Sequence, residues 1–316
     1  MKQILITGGA GYIGSAVALA LQGVGYEVVV FDDLSTGQES VLPRNIPLLV
    51  GDVTDWEQLN RLTSGYEWAA VIHCAAKKAV GESEEKPDLY FHCNVTGSLN
   101  ILRLINERRI PQLIFSSTAA VYDQNGLNGP VTETSPLNPP NIYGTTKLMV
   151  EQAILAEARI GRLPHFTIFR YFNVAGDAGL SYRDAVAQNV FPLLARAAAT
   201  NQPFSIFGTD YETKDGTGVR DYIHLNDLVA AHLLALKQPI SGIFNLGTGT
   251  GYSVRELIAE FNAKLPTPLR VVTAPRRPGD PAYLVADASL ARERLGWIPR
   301  ATLSDMVKST VATYLN

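Results

Sequence analysis

The stretch Ile4-Leu5-Ile6-Thr7-Gly8-Gly9-Ala10-Gly11-Tyr12-Ile13-Gly14 decides the fold. A short apolar run predicts a buried strand, and it breaks directly into glycines spaced G-x-G-x-x-G at Gly9, Gly11 and Gly14. Such glycines permit a tight turn, close approach of the backbone to a pyrophosphate and close packing of the following helix, whose N-terminus then faces the phosphates. Gly8, Gly11, Tyr12, Ile13 and Gly14 form this candidate phosphate loop.

Working outward, the same alternation recurs. Val28 to Phe31, Leu48 to Val50, Val71 to His73 and Leu113 to Phe115 are short apolar runs suited to parallel strands buried on both faces. Between them lie helical patterns such as Gly14 to Gln22 and Asn94 to Asn106. Alternation of this kind predicts right-handed βαβ units wound into a doubly wound parallel sheet, a Rossmann-like α/β fold. Asp32 stands eighteen residues beyond Gly14, at the end of the second strand, where a carboxylate accepts adenosine ribose hydroxyls. Asp33 follows it, and two carboxylates repel a 2′-phosphate, so the expected cofactor is NAD. Asp52 and Val53 follow the third strand as candidates for the adenine edge, and Ala75 follows the fourth, where small side chains let a dinucleotide lie close.

Beyond Asn173 the alternation gives way to long loops rich in glycine, proline and charge, 207–221 and 266–287, of a length that commonly carries function. Ile243 to Leu246 reads as a further strand, and Ser253 with Glu256 fits a capping box that opens a helix through Phe261. The expectation is a smaller C-terminal α+β substrate domain. Its boundaries are residues 1–173 plus about 221–247 for the dinucleotide domain, and about 174–220 and 248–316 for the smaller one, with the ligand cleft between them.

Composition narrows the function classes. The 316 residues carry 27 Lys and Arg against 30 Asp and Glu, a formal charge of −3, which offers no general basic field for nucleic acid or anionic lipid. With 46% hydrophobic residues the chain can build an ordinary core. Cys74 and Cys93 are too few for a disulfide framework, and neither they nor the five histidines have metal-ligand spacing. No apolar run approaches a membrane span or a leader-peptide core. A cytoplasmic protein without bound metal is expected.

Ser116-Ser117-Thr118 ends the fifth strand, and Tyr143-Gly144-Thr145-Thr146-Lys147 opens a helix. Positions i and i+4 share a helix face, so Tyr143 and Lys147 point into one site. A free phenol titrates near about 10, and working as a base at pH 7 demands roughly 4 kcal/mol of differential stabilisation. A nearby ammonium and a positive nicotinamide ring are the expected sources, with Thr118 relaying or orienting the substrate proton.

With these motifs the chain resembles the extended short-chain dehydrogenase/reductase family, which uses a Ser/Thr, Tyr, Lys triad to move hydride between a hydroxyl-bearing carbon and nicotinamide. The segments 170–176 and 206–211, Asp215-Gly216-Thr217-Gly218-Val219-Arg220-Asp221-Tyr222-Ile223-His224 and Arg277-Pro278-Gly279-Asp280 resemble its UDP-sugar epimerase branch over nearly the whole chain. That resemblance implies reversible, redox-neutral epimerisation at C4 of UDP-glucose and UDP-galactose through a transient 4-keto sugar, with NAD regenerated each cycle. UDP-N-acetylhexosamines and UDP-pentoses are the alternative substrates. It assigns Lys78, Asn94, Ser116, Tyr143, Lys147 and Tyr171 to the cofactor as well, and leaves Lys77 as solvated surface. Thr118, Tyr143, Asn173, Asn189 and Val190 line the sugar side, Phe207 lies beside the uracil, Arg220 and Arg277 clamp the diphosphate, and Asp280 takes a ribose hydroxyl. A homodimer through a four-helix contact containing the helix after Tyr143 is also implied.

The chain departs from that branch at several positions. Thr118 replaces a common serine, Ala16 a frequent histidine, Asp33 an asparagine, Asp123 a glycine and Ile142 a proline. Leu284 falls on the sugar-pocket gate and is read as favouring UDP-glucose and UDP-galactose over N-acetylated sugars. Ala119 and Ala120 follow Thr118 where a 4,6-dehydratase needs acidic groups, which argues against elimination.

Overall fold

A computed structural model describes residues 3–123, 129–183, 189–277 and 279–315. The strands are β1 (Gln3–Thr7), β2 (Val28–Asp32), β3 (Leu48–Val50), β4 (Trp68–His73), β5 (Gln112–Thr118), β6 (His165–Tyr171), β7 (Asn173–Ala175), β8 (Phe204–Phe207), β9 (Val219–His224), β10 (Gly242–Leu246), β11 (Gly251–Ser253), β12 (Val271–Ala274) and β13 (Tyr283–Leu284). The helices are α1 (Tyr12–Gly23), α2 (Trp56–Leu62), α3 (Val80–Glu85), α4 (Pro87–Tyr90), α5 (Gly97–Arg108), α6 (Ile142–Arg159), α7 (Val190–Thr200), α8 (Leu225–Lys237), α9 (Val254–Asn262), α10 (Ser289–Leu295) and α11 (Leu303–Leu315).

Seven parallel strands form the main sheet in the order β10-β6-β5-β4-β1-β2-β3. This is the doubly wound α/β architecture expected from the alternation. Successive side chains on a strand point to opposite faces, which is why the apolar runs have no polar side. Ile4, Ile6, Val28 and Val30 pack with Val17 and Leu21 of α1 and Leu228 of α8. Leu5, Val29, Val71 and Phe115 pack with Ile101 and Ile105 of α5 and Val150 and Ile154 of α6. The order reverses between β1 and β4, so the crevice beyond Thr7 and His73 is the topological switch point where such sheets bind ligands.

A second, mixed sheet joins β11, β9 and β13, with β7 beside β9, and β8 pairs with β12. Phe191 and Leu194 of α7, Phe261 of α9 and Met306 of α11 bury its own core. The Ser253–Glu256 capping box forms in full, each side chain meeting the other residue's backbone. Asn94 does not open a regular helix as its periodicity predicts. Residues Phe91–Thr96 make a π-helical turn and the α-helix begins at Gly97, because Asn94 is drawn sideways into contacts with Lys77 and Thr146. Among the described residues no helix is long and apolar enough to cross a membrane.

Candidate active site

The phosphate loop is built as its glycines require. Gly8 has φ +68°, and a Cβ there would lie 2.5 Å from the Ala75 amide nitrogen. A Cβ on Gly14 would lie 2.3 Å from the Gly8 carbonyl oxygen. The loop and the Ala75 segment therefore meet backbone to backbone, and Gly11 begins α1 with no side-chain cap on its first amides. Asp32 is buried at the end of β2, accepting hydrogen bonds from Ala10 N and Leu34 N, both at 2.9 Å. Burial pushes its carboxyl upward while those two amides pull it down. Asp52 is exposed beyond β3 and caps Thr54 N at 2.8 Å, and Val53 packs on Gly97. These features give an uncapped helix N-terminus, a close backbone cradle and a carboxylate at the second strand end, which suit a dinucleotide.

Asn94 is fully engaged by the chain: its Oδ1 accepts from Lys77 N at 2.8 Å, and its Nδ2 donates to Lys77 O and Thr146 Oγ1, each at 3.0 Å. Lys77 has a half-buried side chain whose Nζ ends in the open, 3.5 Å from Ser35 Oγ in the loop after β2. Lys78, Tyr12 and Asn189 line one pocket with Asp177, Tyr182 and Phe191, and the Tyr12 hydroxyl donates to the Gly176 carbonyl.

The structure brings the three catalytic candidates together. Thr118 ends β5, its Oγ1 accepting from Ala120 N at 3.2 Å, and its hydroxyl faces the phenol of Tyr143 in the first turn of α6. Lys147, one turn on and buried, donates from Nζ to the Ser116 carbonyl at 2.8 Å and lies 4.8 Å over the Phe115 ring. Burial lowers this ammonium to about 8, with Cys74 and Glu151 opposing the shift. Burial raises the Tyr143 phenol to about 12, and the Thr118 hydroxyl opposes that shift. The depression expected from the Tyr143–Lys147 spacing is therefore absent from the polypeptide's own field, because Lys147 is anchored on a carbonyl inside a desolvated wall.

That wall is polar and satisfied. Ser116 Oγ meets Tyr171 OH at 2.9 Å and donates to Cys74 Sγ at 3.2 Å, and Tyr171 OH also meets His232 Nε2 at 2.8 Å. Burial raises the Cys74 thiol to about 11 and lowers His232 to about 4, so both are neutral near pH 7. No described cluster of His, Cys, Asp or Glu is placed to hold a metal ion.

The start of α6 carries contacts the sequence did not announce. Asn141 Oδ1 accepts from Gly144 N at 2.8 Å, Ser83 Oγ from Tyr143 N at 3.2 Å, and Glu84 Oε1 from Ile142 N at 2.8 Å. Isoleucine at 142 has the N–H that proline lacks, and Glu84 uses it. One turn past Lys147, Glu151 forms a buried ion pair with Arg170. Nothing in the sequence singled out Glu151 or joined it to a partner nineteen residues away.

The residues expected at the nucleotide lie on β7, β8 and β9, at the start of α7 and in the loop after β12. Arg277 lies 4.0 Å over the Phe207 ring, and Arg220 NH2 is 3.7 Å from Asp280 Oδ1. Arg276, not singled out in sequence, pairs with Asp210 at 2.7 Å and lies 4.2 Å over Tyr211. Asn173 donates to Asp221 O at 3.1 Å, and Asn189 and Val190 sit at the N-terminus of α7. Two forked guanidiniums beside an exposed aromatic ring and a carboxylate suit a nucleoside diphosphate.

Residues 4–247 match the sequence model of the NAD dependent epimerase/dehydratase family. The chain is 41% identical over 305 residues to the UDP-glucose 4-epimerase of Corynebacterium glutamicum, covering 95% of this chain and 92% of that one. Its fold is similar to the UDP-glucose-4-epimerase from Stenotrophomonas maltophila with bound NAD and formylated UDP-arabinopyranose, at TM-score 0.94 and 38% identity over 100% of this chain and 98% of that one. It is likewise similar to the Bifidobacterium longum UDP-glucose 4-epimerase in complex with NAD+ and UDP, at TM-score 0.92 and 35% identity over 98% and 97% of the two chains.

Proposed function

The chain belongs to the NAD dependent epimerase/dehydratase family, and from that premise we propose that it interconverts UDP-glucose and UDP-galactose by inverting C4. The observation that carries the reading is the Thr118 hydroxyl facing the Tyr143 phenol at the carboxyl end of the main parallel sheet, in a chain that also sets Arg277 over Phe207 and Arg220 beside Asp280.

The residues present fit NAD. Gly8, Gly11, Tyr12, Ile13 and Gly14 would hold its pyrophosphate, and Asp32, Asp52 and Val53 its adenosine. Ala75, Lys78, Ser116, Tyr171 and Lys147 would hold the rest, with Asn94 fixing the Lys77 backbone beside them. Bound NAD supplies reversible hydride acceptance at sugar C4 and a positive charge beside the phenol. Tyr143 removes the proton of the 4-hydroxyl and returns it after the keto sugar has turned, while Thr118 orients that hydroxyl. Lys147 keeps its ammonium on the Ser116 carbonyl and contributes positive potential to the site. Arg220 and Arg277 grip the diphosphate, so binding energy resides in the nucleotide and the sugar is left free to rotate.

In this reading residues 1–173 and about 221–247 bind the cofactor, and about 174–220 and 248–316 bind the UDP-sugar. Two copies pair through α5 and α6, a contact that would cover the exposed Leu99 and Met149. The cytoplasm is the working compartment, supported by two unpaired cysteines.

The test is to incubate purified protein with UDP-galactose and no added NAD, following UDP-glucose by proton NMR, and to assay dinucleotide released on denaturation. Conversion with near-stoichiometric NAD is expected. Bound NAD without conversion would redirect the search to another nucleotide sugar, and failure to bind or use supplied NAD would sink the mechanism.

A further inference from the structure

One helical turn beyond Lys147, the Glu151 side chain is wholly buried and pairs through both oxygens with Arg170: Oε2 with NH2 at 2.6 Å and Oε1 with Nε at 3.1 Å. Glu151 Oε1 also accepts from the hydroxyl of Ser117. Ser117 lies between Ser116, whose carbonyl anchors Lys147, and Thr118, whose hydroxyl faces the Tyr143 phenol. Arg170 stands opposite Ser117 in the β5–β6 register. Its NH1 reaches Tyr122 OH at 3.0 Å and Glu133 O at 3.1 Å, and Tyr122 OH donates to Asn245 Oδ1 of β10 at 2.6 Å.

Tyr143, Lys147 and Glu151 occupy positions i, i+4 and i+8 of α6, a single stripe about 12 Å long. The first two do the chemistry of the proposed reaction, and the third bolts the stripe to the strand that carries Thr118. We propose that the Glu151–Arg170 pair, through Ser117, is a positioning clamp that sets the rotation and height of α6 against β5 and so holds Tyr143 in reach of Thr118. Neither residue is catalytic; both act through Ser117 and the helix.

A buried ion pair is weak evidence for stability, since well-packed apolar replacements often do as well. Its geometry here is specific. The bidentate fork fixes direction as well as distance, and its third contact falls on the one strand residue flanked by both anchoring positions. The groups facing Lys147 from the packed elements are His73 at the end of β4, Cys74 just after it and Glu151 on its own helix. Glu151 is the one carboxylate among them, so the clamp also supports the ammonium.

The proposal rests on the epimerase reading, and its test separates the two. Wild type, Glu151→Gln and Ser117→Ala are compared as holoenzymes for kcat and KM with UDP-galactose, NAD content and thermal midpoint. The Tyr143 ring is followed by NMR of tyrosine-labelled protein, with Tyr143→Phe assigning the signal. Glu151→Gln is expected to lose roughly 10- to 100-fold in kcat, the scale of a sub-ångström to 1 Å misplacement. Its KM is expected to stay within about threefold, with NAD retained and the Tyr143 signal shifted. Ser117→Ala is expected to lose a smaller part of kcat in the same pattern, roughly three- to tenfold. A folded Glu151→Gln holoenzyme with unchanged kcat and an unmoved Tyr143 signal, only melting earlier, overturns the clamp. If Glu151→Gln does not fold, Ser117→Ala decides alone, and unchanged kcat overturns it. Should wild type fail to turn over UDP-galactose, the epimerase reading fails, and the shift or constancy of the Tyr143 signal still judges the clamp.

Discussion

The hydroxyl of Thr118 faces the phenol of Tyr143 across the gap between the end of β5 and the first turn of α6. The contact favours the ionised phenol, while burial holds the phenol at about 12. Tyr143→Phe removes the phenol oxygen that takes the proton in this mechanism and is expected to cut kcat by 10²- to 10⁴-fold, the usual range for a lost general base. Thr118→Val keeps the shape and loses the hydroxyl, with an expected drop of roughly 10²-fold. Thr118→Ser is expected to restore most of the rate, since the methyl group has no part in the contact. Single-turnover assays with NAD content matched would read these values, and a Thr118→Val enzyme as fast as wild type would remove Thr118 from the mechanism.

Gly8 carries a second prediction. Alanine there must adopt φ +68° and place a Cβ 2.5 Å from the Ala75 nitrogen. Since both neighbours are backbone, neither yields cheaply, and strain of about 1–3 kcal/mol is expected. Gly8→Ala protein should purify with far less than one NAD per chain, or unfold at lower urea concentration. Full NAD occupancy with wild-type stability would mean that the two segments separate easily.

The parts of this molecule visible in sequence are those governed by local period. Ile4 to Ile6 and Val28 to Phe31 reveal buried strands because both faces are apolar, and Tyr143 and Lys147 reveal a shared face because helix spacing is fixed. The Arg220–Asp280 cluster was legible only through resemblance to a family, since β8, β9 and β12 bring distant segments together by non-local pairing. The Glu151–Arg170 pair was invisible because it depends on strand register.

Arg220 and Arg277 should separate binding from chemistry. Each is expected to contribute charge-assisted hydrogen bonds to a diphosphate, about 1.5–3 kcal/mol apiece. Arg277→Ala is therefore expected to raise KM by roughly 10- to 100-fold with kcat within a fewfold, as for contacts shared by ground and transition states. Arg220→Lys should fall between, because an ammonium cannot reproduce the fork. A loss confined to kcat would place the arginine at the sugar instead of the diphosphate.

Ile142 and Glu84 should be coupled. Glu84 Oε1 accepts the Ile142 amide at 2.8 Å, at the N-terminus of the catalytic helix, where a carboxylate gains about 0.3–1 kcal/mol. Proline at 142 needs no such partner and suits the first helical position. Glu84→Ala is expected to destabilise wild type by about 0.5–1 kcal/mol and to cost much less in an Ile142→Pro background. Urea denaturation of the four proteins closes the cycle, and equal losses in both backgrounds would show that the contact contributes nothing.

The histidines set the acid limit of stability. His73 lies between Thr7 and Ser98, at 2.6 and 2.8 Å, and burial, helped by the Lys147 charge, lowers it to about 3. Burial likewise lowers His232 to about 4. In the unfolded chain both take up protons near about 6.5. Each therefore leaves the folded state short of a proton as pH falls through that value, and stability declines by up to about 1.4 kcal/mol per pH unit per histidine. The contribution is complete above pH 6.5 and is progressively lost toward pH 4. Lys147 runs in the same sense in a higher window: lowered to about 8 against an ordinary 10.5, it makes the fold gain stability between those values. Urea midpoints measured from pH 7.5 to 5.5 should fall, and His73→Gln, which keeps a polar bridge without a titrating group, should fall less steeply by about one proton's worth. Parallel curves for the two proteins would show that His73 charges freely in the folded state.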